Sequence, residues 1–369
     1  AMLELVLTLL RLACIEPGYF RLADFRTFRI LMAAITSLTL SLTLGHRVIV
    51  WLYRQRFRDA GGEFRSIDTH SKRGTPTGGG ILILLAVVTA VALWGRLDNA
   101  YLLAVSAAFV YFGLVGWFDD AQKVRFKSAL FGLGQMAKTV LQLGFIVPFG
   151  FWLVSDLSPL PSAMRSQLLV PFVKTPLGDP GRMVFAVFAM LVFFSVVNAV
   201  NITDGLDGLV TGPAVTTALL YGAFAYVLGN AVLSHYLLFA MLPGAGEMAV
   251  FAAALAGGLL GFLWFNAYPA EVFMGDTGSL AIGGGLASMA LLTRQEMLFP
   301  IVGGIFVANI AASLVQEKIG LRIGRRLVLR APLHHGQTER GIAEPKVVIR
   351  FWIIAFFLML IAGLSLKLR

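Results

Sequence analysis

Ten apolar runs of roughly bilayer-crossing length divide this chain, and no other feature limits its fold as tightly. They fall near 28–51, 78–94, 101–117, 130–154, 183–200, 210–228, 248–264, 278–292, 298–316 and 349–366. A helix needs about 20 mostly apolar residues to cross a bilayer, with shorter runs tolerated. The expected fold class is therefore all-α: an integral membrane protein of about ten transmembrane helices. Of 369 residues, 58% are hydrophobic and 14% charged, too apolar a balance for an ordinary globular chain. The single cysteine, Cys14, excludes an internal disulfide and any thiol-based metal site, leaving helix packing to supply stability. Residues 1–24, which contain MLELVLTLLRL, are too short and too interrupted by charge for a signal peptide and read as an N-terminal interfacial segment. No long-period repeat or low-complexity linker appears, so residues 1–369 read as one membrane domain.

An even number of crossings leaves both termini on one side, and basic residues in short loops mark the cytoplasmic side. Sixteen Lys and Arg fall in the odd-numbered loops against five in the even-numbered ones. The expected topology has cytoplasmic odd-numbered loops and periplasmic termini. The net charge of +10 resides largely in those loops, and anionic lipid headgroups account for it more simply than nucleic acid does. Basic residues spaced among leucines in 321–330 suit an interfacial amphipathic helix within a 317–346 cytoplasmic loop. GGGILILL, GGLLG and IGGGLA suit close helix packing rather than phosphate loops.

Five polar stretches are not explained by packing: HSKRGTPTGGG, WFDDAQK, NAVNITDGLDGL, WFNAYPAEVFMGDTGS and APLHHG. Each adjoins a different odd-numbered loop, so all five meet one face. Asp119, Asp120, Asp204, Asp207 and Asp276 form an oxygen-rich set at membrane level, where an uncompensated carboxylate is costly. Any one acidic pair can be a solvated helix end; five carboxylates in three same-side loops point to a hard cation, and Mg²⁺ takes carboxylates together with water and phosphate oxygens. Lys72, Lys123 and Lys138 add cations near that face, or serve only as topogenic charges. His334 and His335 can bind phosphate or move protons, or simply be polar loop residues. Phe273 with Asn201 and Asn266 can stack and hydrogen-bond a base, or Phe273 can be an interface anchor. Carboxylates for a metal and cations for oxygens are what phosphoryl transfer uses.

These motifs, from about Phe25 to the closing SLKLR, resemble those of the phospho-N-acetylmuramoyl-pentapeptide transferase family, within the polyprenyl-phosphate N-acetylhexosamine-1-phosphate transferases. The resemblance implies a Mg²⁺-dependent homodimer in the bacterial cytoplasmic membrane with its active site facing the cytoplasm. It also implies the reaction: UDP-N-acetylmuramoyl-pentapeptide and undecaprenyl phosphate give lipid I and UMP. Carried over by position, it makes Asp276 the direct metal ligand and Asp119 and Asp120 the pair facing metal and lipid phosphate. Lys72 and Thr77 match the loop closing near the nucleotide, Asp204 and Asp207 the next acidic motif, and Asn201, Asn266 and Phe273 the uridine side. Gln316 and Ala331 match further nucleoside positions, and His334 and His335 the first two members of a histidine triplet. Asp119, Asp120, Asp276, His334 and Lys72 are the expected catalytic set; Lys123 and Lys138 join the substrate-binding one. The chain departs from the family pattern at Gly78, Ala121, Gly336 and Thr338, all outside the expected metal ligands.

A phosphate monoester is largely dianionic at neutral pH, which favours direct attack by the lipid phosphate over obligatory base catalysis by Asp119. A two-step route through an aspartyl phosphate stays open. The rivals are a sister transferase moving N-acetylglucosamine 1-phosphate and, from another class, a transporter. A transporter calls for a midplane site between repeats, whereas these carboxylates gather at helix ends.

Overall fold

The computed structural model describes residues 22–57, 74–125, 132–325, 327 and 330–368. The principal helices are α1 (Arg26–Arg54), α2 (Gly80–Trp94), α3 (Ala100–Arg125), α4 (Gln135–Val154), α5 (Arg182–Thr203), α6 (Thr211–Leu228), α7 (Met248–Asn266) and α8 (Gly275–Leu292). They continue as α9 (Phe299–Val302), α10 (Gly304–Leu314), α11 (Leu333–Glu339) and α12 (Glu344–Leu364). A π-helical turn, Val315–Gly320, extends α10.

Seven helices among the described residues are long and apolar enough to cross a bilayer, or eight if the broken pair Glu296–Val302 and Gly304–Gly320 counts as one span. That pair bends by 86°. A helix lies in each of the ten apolar runs, but α2 has only 15 residues. The expected span over 298–316 contains that bend. Gly303 and Gly304 sit at the break, where the missing side chains weaken helical preference.

α7 and α8 form the centre, buried on nearly every face. Around them, α1, α4, α5 and α12 expose apolar side chains such as Leu31, Val140, Leu191 and Phe357. Water would disfavour so much exposed hydrocarbon, whereas lipid accepts it. One buried apolar cluster runs from Ala33 on α1 to Ala362 on α12. The glycine strings lie at helix contacts: a Cβ on Gly257 would overlap the Ala34 carbonyl, and one on Gly80 the Gly278 backbone.

The two ends of the bundle differ in chemistry. At one end, Arg29 grips Glu247 through two hydrogen bonds of 2.6 Å and donates to the Trp94 carbonyl at 3.1 Å. At the other, α3 ends, α8 begins, and the carboxylates of the polar motifs converge.

Candidate active site

Two helices meet here backbone to backbone. A Cβ on Gly116 would overlap the Asp276 carbonyl, so only glycine lets α3 pass this close to the first turn of α8. Asp119 and Asp120 lie inside α3, which continues to Arg125, rather than beyond its end. Their neighbours explain the extra turns. Lys123, four residues on, approaches Asp119 Oδ2 at 2.6 Å within the same helix.

Asp120 serves α8. A helix start leaves backbone N–H groups without partners, and it favours negative charge. Asp120 Oδ1 accepts the Asp276 N–H at 3.2 Å; Oδ2 accepts the Thr277 N–H at 2.9 Å and its hydroxyl at 2.6 Å. Gly275 makes this approach possible with a φ of 71°. The first residue of α8 thus adopts a left-handed conformation open to glycine.

Asp276 is the hub. Its Oδ2 receives Lys123 at 2.8 Å and Lys138 at 2.6 Å, while its Oδ1 accepts the Asn201 amide at 2.7 Å. Asn201 also reaches Ser279 Oγ at 2.8 Å. Asp119 Oδ1 accepts the Leu133 N–H at 2.8 Å. One oxygen from each of Asp119, Asp120 and Asp276 lies within 4.8 Å of the others, a grouping that could hold a metal ion.

The donor set fits a hard cation. It contains only carboxylate oxygens, the ligands preferred by Mg²⁺-type ions, with no thiol among them. Three carboxylates face two ammonium groups, leaving excess negative charge. Lys123 bridges Asp119 Oδ2 and Asp276 Oδ2 at 2.6 and 2.8 Å.

The remaining polar motifs form the adjoining wall. The backbone N–H of Phe273 donates to Pro76, and those of Gly79 and Gly80 donate to Phe273 and Met274, joining the TPTGGG loop to the segment before α8. Thr77 N donates to the Phe57 carbonyl at 3.0 Å. Phe273 is buried. Asn266 engages both ends of its amide with backbone: Nδ2 donates to Val272 O at 2.8 Å, and Oδ1 accepts from Gly208 N at 3.0 Å. Asp207 Oδ2 accepts the Ala270 N–H at 3.2 Å, and its own N–H donates to Glu344. Asp204 closes α5. These contacts bind the NITDGLDGL turn to the loop after α7.

His334 is completely buried on α11, its ring 4.4 Å from that of His335. Neither ring nitrogen of His334 has a hydrogen-bond partner among the described residues. Burial, helped by the neighbouring His335, pushes its pKa down to about 3. Gly205 lies against this ring; a Cβ there would overlap Nε2. Gln316 Oε1 accepts the Leu327 N–H at 3.0 Å, and Ala331 precedes Pro332 across a cis peptide. Lys72 lies outside the described residues.

The structure therefore brings Asp119, Asp120, Asp276, Lys123, Lys138 and Asn201 into one cluster. Asn201, expected beside a nucleoside, donates to Asp276. Sequence reasoning missed Thr277 and Ser279, although both stand in the quoted GDTGS string. An apolar groove of about 480 Å³ lies between α5 and the α9–α10 break, lined by Leu191, Val192, Ala199, Pro300, Val307 and Ala311 among others. Its Ala199 end lies near the C-terminal end of α5, the end of the helix that also carries Asn201.

The glycosyl transferase family 4 profile matches residues 102–294. A phospho-N-acetylmuramoyl-pentapeptide-transferase of Gluconobacter oxydans is 44% identical over 359 residues, 95% of this chain and 96% of its own length. Proteins of the same name from Desulfosudis oleivorans and Desulfotalea psychrophila are each 42% identical, over 353 and 356 residues, again 95% of this chain and 96% of their own lengths.

Proposed function

The chain belongs to the phospho-N-acetylmuramoyl-pentapeptide transferase family, and from that premise we propose how its carboxylate cluster carries out the transfer. The protein moves phospho-N-acetylmuramoyl-pentapeptide from its UDP carrier to undecaprenyl phosphate, producing lipid I and UMP in peptidoglycan synthesis. The observation carrying the site assignment is the convergence of Lys123, Lys138 and Asn201 on Asp276, beside Asp119 and Asp120.

The acceptor's prenyl chain lies in the groove between α5 and α10, which brings its phosphate to the end of α5. Lys123 and Lys138 then attract phosphate oxygens and neutralise charge as the phosphorus changes partners. The lipid phosphate oxygen attacks the sugar-linked phosphorus in line, and the bond to the UMP oxygen breaks. Asp119 and Asp276 hold the two ammonium groups in position for this step; Asp120 keeps the first turn of α8 in place. Mg²⁺, held by Asp276 with Asp119 and Asp120, supplies charge neutralisation of the diphosphate when bound. Asp119 accepts Lys123 on one oxygen and the Leu133 N–H on the other, which supports a holding role over nucleophilic attack.

Lys72, Thr77, Asp204, Asp207, Asn266, Phe273, Gln316, Ala331, His334 and His335 form or support the nucleotide-sugar side. Asn266 and Asp207 act by shaping the loops there. Ten crossings, periplasmic termini and a cytoplasmic-facing site in the inner membrane complete the assignment, with a homodimer as the working assembly.

Release of UMP decides the substrate. Purified enzyme with Mg²⁺ and undecaprenyl phosphate should release UMP from UDP-N-acetylmuramoyl-pentapeptide and not from UDP-N-acetylglucosamine. The reverse preference would assign it to the sister reaction.

A further inference from the structure

Helix α4 delivers Lys138 to Asp276 on an end with little to hold it. No residue from Gln135 to Leu141 is buried, and Gln142 is the first on α4 that is. Its side chain meets Asn198 of α5 in a reciprocal amide pair. Asn198 Nδ2 donates to Gln142 Oε1 at 2.9 Å, and Gln142 Nε2 returns a longer bond of 3.4 Å to Asn198 Oδ1. Asn198 is itself oriented by donating to the Phe194 carbonyl at 2.8 Å.

The spacing links this pair to the site. Lys138 precedes Gln142 by four residues and Asn201 follows Asn198 by three, so each couple shares a helix face. Lys138 and Asn201 both end on Asp276. An amide buried between helices gains by finding its partner, and only one axial register of α4 against α5 provides this one. A slip of one residue would move Lys138 about 1.5 Å along α4 and turn it about 100° away. Tyr111 adds a tie from α3, its hydroxyl donating to the Leu141 carbonyl at 2.8 Å.

We propose that the Gln142–Asn198 pair is a positioning device that sets Lys138 and Asn201 on the Asp276 carboxylate. It deepens the assignment of that carboxylate to the transfer site and rests on it. Neither amide touches the reacting groups; both act through the residues one turn away.

The test compares the unsubstituted enzyme, Gln142→Leu and the exchange variant Gln142→Asn/Asn198→Gln. Each is measured for kcat and KM, for thermal unfolding, and for acetylation of individual lysines by acetic anhydride, read by mass spectrometry. Gln142→Leu should lower kcat about tenfold while the nucleotide-sugar KM changes by less than about twofold, the pattern of lost transition-state interaction. Lys138 should acetylate faster, whereas Lys123, carried on α3 beside Asp119, should not. The exchange variant should recover kcat and Lys138 protection.

A folded Gln142→Leu protein with wild-type kcat and a protected Lys138 overturns the proposal. Equal deprotection of Lys123 and Lys138 does so too, since it shows general loosening. Should Gln142→Leu fail to fold, the exchange variant decides: unrecovered Lys138 protection refutes positioning by the pair. The labelling result stands apart from the site assignment, which fails if Asp276→Asn retains transfer.

Discussion

Asp276 accepts two ammonium groups on one oxygen and an amide on the other, so its charge organises most of the polar cluster. Asp276→Asn keeps the side chain's size and removes that charge. Transfer should fall by about a hundred- to a thousandfold, the scale seen when a principal electrostatic contact is lost. Circular dichroism should stay unchanged; retained turnover at ordinary Mg²⁺ would remove Asp276 from the reaction. His334 supports a different prediction. Its folded pKa of about 3 lies below the ordinary histidine value, so the unfolded chain binds the extra proton first. Its contribution to stability is complete above about pH 6.5 and declines toward pH 3 by at most about 1.4 kcal/mol per pH unit. Thermal unfolding at pH 5 and 7.5 should show a smaller pH difference in His334→Asn than in the wild type. The carboxylates were legible in the sequence because a charge next to an apolar run demands compensation. Gln142 was not, since one amide in QLGF carries no sign of the Asn198 it meets. Asn266 was legible as polar but not as a loop tie, because its partners are backbone groups from other segments.

Helix ends moved more than helix centres between sequence and structure. The apolar run stops at residue 117, yet α3 runs to Arg125, because the Asp119–Lys123 pair and the contacts with α8 stabilise polar turns that hydropathy would end. The opposite error arose at 298–316, where uniform apolarity concealed the break between α9 and α10. Glycine marks that break, but glycines at packing contacts look the same in sequence. The groove beside the break gives a test at this scale. Ala311→Trp places a large ring among its lining residues, on an exposed position that leaves the core undisturbed. The apparent KM for undecaprenyl phosphate should rise about tenfold or more, with the nucleotide-sugar KM nearly unchanged. An equal effect on both substrates would move the prenyl chain elsewhere.

Across the whole molecule, the membrane class was legible because lipid imposes long apolar runs, and the exposed leucines and phenylalanines of α1, α5 and α12 follow from the same requirement. The fit between helices was not, for it depends on which small residue meets which backbone, as at Gly116 and Asp276. The proposed sidedness can be measured in a Cys14→Ser background. A cysteine at Asp98 should react with a membrane-impermeant maleimide from the periplasmic side of intact spheroplasts, and one at Arg340 only after lysis. The reverse labelling would invert the assignment.

As the proposed seat of the prenyl chain, the groove along α5 would also determine what the enzyme counts as concentration. A prenyl acceptor reaching it sideways arrives through two dimensions, so its supply is set by its mole fraction among neighbouring lipids. The soluble donor arrives through three and is governed by molarity. Extra inert lipid at fixed amounts of everything else therefore dilutes one substrate and leaves the other untouched, coupling the output of this step to the area of membrane the cell has made.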